Sequence, residues 1–299
     1  MAQKKLPWQS KLVLLLVLPL VASELVLQIH FWFLQETRVA IWVIGLSLLL
    51  GLIVLKLRAA TPTGALVGAA ITASLMFSTV LYPYAPWNTA LPPVLAVSVL
   101  AWAATKLGRK KKERLGTAED RRGRSAAQIA ANLGVAAIAS SYFVQALLID
   151  SHRFSPAALV PIPVLAPMLA ALAEAAADTV SSEIGQVLGG QPRMITTLRH
   201  AVPGTDGAIS LAGTLAGIAA AAIVAGLGAI ALGIDHRDLP LFLVATAGGV
   251  FGLLFDSLLG ATLERRGWLN NDPVNFLSTA AAAAFSLALL ALQKHPGVG

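Results

Sequence analysis

The feature that most limits this chain is a succession of apolar runs, each of about the 20 residues needed to cross a hydrocarbon core of about 30 Å. Backbone polar groups in lipid must be satisfied within their own segment, so such runs are helices. Nine candidate spans are predicted: 12–34, 39–57, 63–82, 90–107, 126–149, 157–178, 209–233, 239–262 and 275–293. Only 12% of the 299 residues are charged and 57% are hydrophobic, too few polar groups to cover a water-soluble domain. The expected fold is therefore all-α: one integral membrane domain over 1–299, a polytopic transmembrane helical bundle of about nine spans. The basic start (Lys4, Lys5, Lys11) resembles a signal peptide, but its apolar run continues to Leu34 without a small-residue cleavage site, so a retained first span is expected.

The net charge of +7 reads as a topology signal and gives no reason to expect a nucleic-acid partner. With the N-terminus cytoplasmic, the inner loops collect eighteen Lys and Arg against four outside. The expected location is a bacterial inner (cytoplasmic) membrane. Cysteine is absent, which excludes thiolate metal sites, disulfides and cysteine nucleophiles. Prolines 161, 163 and 167 predict a kinked or broken sixth span. No internal repeat of the kind found in many transporters is evident. Two inner loops are longer: 108–125, very basic, and 179–208, rich in Gly, Ser, Thr and Pro.

Chemistry concentrates near the inner ends of the spans. Glu174, Asp178 and Ser182 fall at i, i+4 and i+8, one helix face, followed by Glu183. Carboxylates at a membrane-end helix face a polar cavity or each other. Oxygen-rich clusters suit Mg²⁺, commonly held by one or two carboxylates plus substrate phosphates; the plainer reading is helix-end capping. From Arg193 to Gly207, glycines and arginines could cradle phosphate, although turns have the same composition and no Walker sequence is present. Asp256 is a lone carboxylate in an apolar segment, followed by Ser257. Asn270, Asn271, Asp272 and Asn275 read as capping of the last span. In the basic loop, Lys110–Lys112 reads as solvated charge facing anionic lipid heads, with Arg121, Arg122, Arg124, Gln128 and Asn132 nearer the bundle. Glu24 and His30 in the first span could line a pathway.

At these motifs the chain resembles a domain-of-unknown-function family of polytopic membrane proteins that includes plant phytyl-phosphate kinase. The resemblance covers 61–279, with 1–60 less family-like, and rests on ordered motifs. They are Pro62-Thr63-Gly64-Ala65, Lys106-Leu107-Gly108, Arg122-Gly123-Arg124 with Gln128 and Asn132, Ala177-Asp178-Thr179 through Gly185, Pro192-Arg193, Gly204–Ser210, Asp256–Thr262 and Val274-Asn275-Phe276. The carboxylate motif is also similar to that of polyprenol kinases and cytidylyltransferases, with Val180-Ser181, Ala208 and Leu253 departing from the usual residues.

The resemblance implies a CTP-dependent kinase that converts an isoprenyl monophosphate, phytyl or geranylgeranyl, to the diphosphate in tocopherol-type lipid metabolism. It implies catalytic and Mg²⁺-holding roles for Asp178, Glu183 and Asp256, with Arg124 and Arg193 on phosphates. Gln128, Asn132, Thr179, Ser182, Gly204, Thr205, Asp206, Ser257 and Asn275 would complete the substrate and nucleotide site. Expected partners are the lipid phosphate, a nucleoside triphosphate and anionic membrane lipids, with a homo-oligomer left open. The alternatives are a transporter or flippase of an anionic lipid or metabolite, and a cytidylyltransferase forming a CDP-lipid.

Overall fold

The computed structural model describes residues 7–150, 162–233 and 239–293. Its helices are α1 (Trp8–Gln35), α2 (Thr37–Lys56), α3 (Pro62–Ser78), α4 (Leu91–Lys106), α5 (Arg109–Leu115), α6 (Ala126–Ser140), α7 (Tyr142–Asp150), α8 (Ile162–Leu188), α9 (Leu211–Leu232), α10 (Leu239–Leu259) and α11 (Asn271–Gln293). Two short antiparallel strands, β1 (Arg193–Met194) and β2 (Ala208–Ile209), form a hairpin between α8 and α9.

Each predicted segment is helical, although 126–149 is not one helix but α6 and α7, interrupted at the extended Ser141; among the described residues only five helices are long and apolar enough to cross a membrane. These are α1, α2, α9, α10 with its extension to Glu264, and α11; the pair α4–α5, bent by 67°, would make a sixth. α3 and α6 are shorter apolar helices. Local chemistry sets several of these ends. Thr61 accepts from the Gly64 N–H (3.1 Å) with Pro62 at the first helical position, which starts α3. Ser125 and Gln128 form a reciprocal capping box that starts α6. Gly108 and Gly116, both at positive φ, bracket α5.

The carboxylate-bearing helix α8 stands at the centre, packed against α4, α6, α9, α10 and α11. From Leu165 to Ala177 its side chains are almost wholly buried. Enclosure by protein suits the carboxylate of Glu174, which is 1% exposed. Glycines on the neighbours permit the close approach: a Cβ at Gly217 would lie 2.9 Å from the Ala177 carbonyl oxygen, and one at Gly249 3.1 Å from the Glu174 nitrogen. Meanwhile Leu15, Leu27, Ile41, Trp42, Leu52 and Leu215 remain exposed, as lipid-facing side chains do.

Two expectations are corrected here. Of the kinked or broken sixth span expected, the break is not found at Pro163 or Pro167, since α8 runs continuously from Ile162; Pro161 lies outside the described residues. The stretch 179–188 is helix, not loop, because Lys111 Nζ caps the Val187 carbonyl (2.8 Å) and a buried ion pair holds the last turns.

Contacts sort the connecting segments by bundle end. Gln9 Nε2 donates to the Trp268 carbonyl (2.7 Å), and the Thr61 N–H donates to the Arg124 carbonyl (2.9 Å). Lys112 reaches Glu183, and Arg265 Nη1 reaches Met194 Sδ (3.6 Å). The start of α1, the α2–α3 turn, the basic segment 107–125, the hairpin and the α10–α11 turn thus share one end. At the other end Tyr82 donates to Glu36 (2.8 Å) and Gln145 to the Ser78 carbonyl (3.3 Å).

Candidate functional site

At the end that carries the start of α1, the second half of α8, the hairpin loop and the end of α10 enclose a polar cavity of about 130 Å³. Its walls carry four carboxylates: Asp178 from α8, Asp206 from the loop, and Asp256 and Glu264 from α10 and its extension. Asp178 and Asp256 are hydrogen-bond neighbours. Asp256 Oδ1 is buried without a partner, as is Glu174 Oε1 just above, whose carboxyl also meets Ser278. Two unsatisfied buried carboxylate oxygens beside a carboxylate pair form a donor set that wants a cation or a proton.

Beside Asp206, the loop wall also carries Gly204, Thr205, Gly207 and Ser210, and Ser210 caps α9, accepting from the Gly213 N–H (3.1 Å). The positive end of the α9 dipole therefore meets the cavity, where an anion is stabilised. Gly207 has φ +74°, and a Cβ there would strike the Ala261 backbone, so only glycine lets this loop press onto the α10 extension. That extension, Gly260–Glu264, is a π-helical turn in which the Arg265 N–H bonds the Gly260 carbonyl (3.2 Å).

Asp206 lies in the loop at the mouth. Partial burial raises its carboxyl above the ordinary aspartate value, and Arg265 pulls it back in part. A group whose folded-state pKa exceeds its unfolded one contributes stability below the unfolded value and loses it as pH rises through the folded value. Asp206→Asn is therefore expected to flatten the rise in melting temperature on mild acidification just above the ordinary aspartate range. Melting curves of wild type and variant in detergent across that range would check it, and unchanged slopes would remove Asp206 as the titrating group.

The predicted site residues divide into groups. Asp178, Ser182, Gly204, Thr205, Asp206, Asp256 and Ser257 all line the cavity. Glu183 faces away: one oxygen pairs with Lys112 Nζ and the other accepts from Thr105 Oγ1 (3.1 Å). Among the described residues no three Asp, Glu or His groups form a cluster suited to a metal, so Asp178, Glu183 and Asp256 do not assemble as one ligand set. Arg193 folds back onto its own hairpin, donating to the Leu198 carbonyl (3.0 Å). Asn132 and Asn275 bond each other across α6 and α11 (3.4 Å), and Gln128 serves the α6 cap. Arg124 Nη2 donates to Thr179 Oγ1 (3.3 Å), one residue from Asp178.

Lys112, expected as solvated charge, is 1% exposed. Its ammonium also bonds the Ala104 and Thr105 carbonyls (3.0 and 2.8 Å), which the bend after α4 leaves without helical partners. Glu24 accepts from Gln28 Nε2 (2.9 Å) and from the Tyr142 N–H at the start of α7 (3.2 Å), a capping role, and His30 is exposed. Five polar lining residues were not predicted as site residues: Ser181, Gln186, Ser210, Glu264 and Asn271. Glu264 was detectable, since Asp256, Gly260 and Glu264 are spaced i, i+4 and i+8.

A polytopic helical membrane protein with a carboxylate-lined cavity at one end of the bundle is the class defined by this fold and site. The chain belongs to the integral membrane protein family DUF92, whose profile matches residues 45–283. An uncharacterised membrane protein of Methanocaldococcus jannaschii is 44% identical over 111 residues, 37% of this chain and 45% of that one. An uncharacterised membrane protein of Synechocystis sp. is 29% identical over 202 residues, 67% of this chain and 74% of that one. The chloroplastic protein VTE6 of Arabidopsis thaliana is 29% identical over 199 residues, 66% of this chain and 57% of that one. The chain thus spans about half the length of the archaeal and plant relatives. No solved structure matches.

Proposed function

We propose that this protein is a CTP-dependent kinase that phosphorylates an isoprenyl monophosphate, phytyl or geranylgeranyl, to the diphosphate. The observation that carries the reading is the two-faced cavity, with Asp178 and Asp256 on one wall and the glycine loop with the α9 N-terminus on the other. Phosphoryl transfer needs positioning and charge neutralisation more than covalent chemistry, and those walls supply both. The family resemblance to plant phytyl-phosphate kinase supports the reading, as does the likeness to VTE6.

Mg²⁺ suits the carboxylate pair, since this ion is commonly held by one or two carboxylates plus substrate phosphates; Asp178 and Asp256 would hold it. When bound, it neutralises charge on the transferring phosphoryl group. The chain's own groups orient the reactants. The loop from Gly204 to Gly207 and the α9 N-terminus bind donor phosphates, while Ser182, Thr205 and Ser257 position their oxygens. Arg124 stands beside Thr179 to meet the acceptor phosphate.

In this proposal the bundle crosses a bacterial inner membrane nine times with its N-terminus cytoplasmic. The cavity, on the same bundle end as the start of α1, then opens to cytosolic CTP, and the basic segment 107–125 rests on anionic lipid heads. A transport reading finds less support, since Glu24 caps α7 and His30 faces outward.

Purified protein with CTP, Mg²⁺ and geranylgeranyl or phytyl phosphate is expected to release CDP and the lipid diphosphate, followed by thin-layer or mass-spectrometric analysis. Pyrophosphate with a CDP-lipid would instead identify a cytidylyltransferase. No turnover with any nucleotide or prenyl phosphate would overturn both.

A further inference from the structure

A second cavity lies beside the first, between α2, α3, α4 and α6. It is a narrow slot of about 100 Å³ with an apolar lining that includes Leu50, Val54, Ala69, Val97, Ala101 and Leu133. Its mouth is different in kind: Arg58, Lys106, Arg109 and Arg124 stand there with two acids, Glu119 and Asp120. Arg109 is engaged by Glu113 (3.1 Å) and by the Glu119 carbonyl (3.2 Å). Glu119 is also within reach of Gln128 Nε2 (3.5 Å), and Asp120 accepts from the Arg122 N–H (2.9 Å). The balance at the mouth is therefore cationic.

The mouth is also rigidly built. The Arg124 N–H donates to the Ala59 carbonyl and its own carbonyl accepts from the Thr61 N–H, both at 2.9 Å. Arg58, at φ 54°, is the left-handed cap that ends α2, where the Ala59 N–H bonds the Val54 carbonyl (2.8 Å). From the mouth the slot runs along α2 as far as Leu50, and along α3 from Gly64 to Thr72, eight residues or roughly 12 Å. On α4 it runs from Lys106 to Val94, or roughly 18 Å. That is about the depth of one leaflet, half of a hydrocarbon core of about 30 Å.

We propose that this slot binds the hydrocarbon chain of a single-chain lipid phosphate, with its phosphate at Arg58, Lys106 and Arg124. The proposal rests on the kinase reading for the identity of the chain, a linear prenyl chain of leaflet depth. Charge and shape argue for such an occupant: a narrow apolar slot admits one chain, and arginines bind phosphate through paired N–H donors. The placement also gives Arg124 its function. Its guanidinium lines the slot and donates to Thr179, while the preceding residue, Asp178, lines the carboxylate cavity, so it holds the acceptor phosphate at the wall between the two.

The test is photolabelling of the full-length protein in nanodiscs with geranylgeranyl phosphate carrying a diazirine at the far end of its chain. Label is expected on α3 and α4 around Ala69 and Val97. Geranylgeranyl phosphate should compete about 10- to 100-fold better than geranylgeraniol, the loss expected for a charge-assisted hydrogen bond. Gly68→Phe offers a second arm, because a Cβ there meets only Ile129 Cγ2 at 3.7 Å and the added ring would fill the slot. It should reduce labelling at least about tenfold, one such step being about 1.4 kcal/mol, with melting temperature and CTP affinity retained. Label confined to lipid-facing α1 or to the opposite end of the bundle would overturn the proposal, as would equal competition by anionic phospholipid. Labelled slot residues without turnover would remove the kinase reading and leave the slot; turnover without slot labelling would do the reverse.

Discussion

Asp178→Asn is expected to abolish phosphoryl transfer while leaving the fold intact. The side chain lines the cavity and is hydrogen-bonded to Asp256, so the change removes one of two adjacent anionic groups at nearly constant volume. Removing one preorganised electrostatic group from an active site costs roughly 10²–10³ in turnover, and loss of a carboxylate holding Mg²⁺ adds to that. Stability should be unchanged or raised, because Glu174 and Glu264 stand near the same carboxyl and repel it. The check is turnover with CTP and geranylgeranyl phosphate beside thermal melting in detergent. A variant that melts like wild type and retains activity within a few-fold would take Asp178 out of the site.

The second large effect is expected at Lys112, in a structural role. Lys112→Met leaves Glu183 buried without its ammonium partner, and also frees the Ala104 and Thr105 carbonyls at the α4 bend. Breaking a buried pair by removing one partner costs about 3–5 kcal/mol. The double variant Lys112→Met with Glu183→Leu should regain most of that loss, since an apolar pair of similar size avoids the uncompensated charge. It should also regain turnover, because neither residue lines the carboxylate cavity. A double variant that is stable but inactive would show that Glu183 acts on substrate or metal, the role its motif implied.

Glu183 shows where sequence reading stopped. Asp178 and Glu183 share one motif, and nothing in their spacing distinguishes them. Five residues along a helix turn a side chain well away from the first, here toward α5. Arg193 is similar: it sits among phosphate-cradling signals, yet the hairpin turns its guanidinium onto the Leu198 carbonyl. Lys112 was indistinguishable from Lys110 and Lys111 as one of a basic run, and only the fold selects which lysine turns inward. Glu264 was the opposite case, a residue whose spacing from Asp256 was legible but which stood next to two arginines that mark an interface.

What the sequence determined by itself was the class of fold and the chemistry present. Apolar runs leave lipid-embedded helices as the stable solution, and carboxylates in such helices must turn toward protein or each other. That reasoning made Asp178 and Asp256 candidates, although 78 residues separate them in the chain. Their meeting was decided by tertiary structure alone: small residues let α9, α10 and α11 close around α8, and Gly207 lets the hairpin loop seal the cavity. Which helices neighbour one another depends on side-chain volume at contacts far apart in sequence. No periodicity along one segment records that.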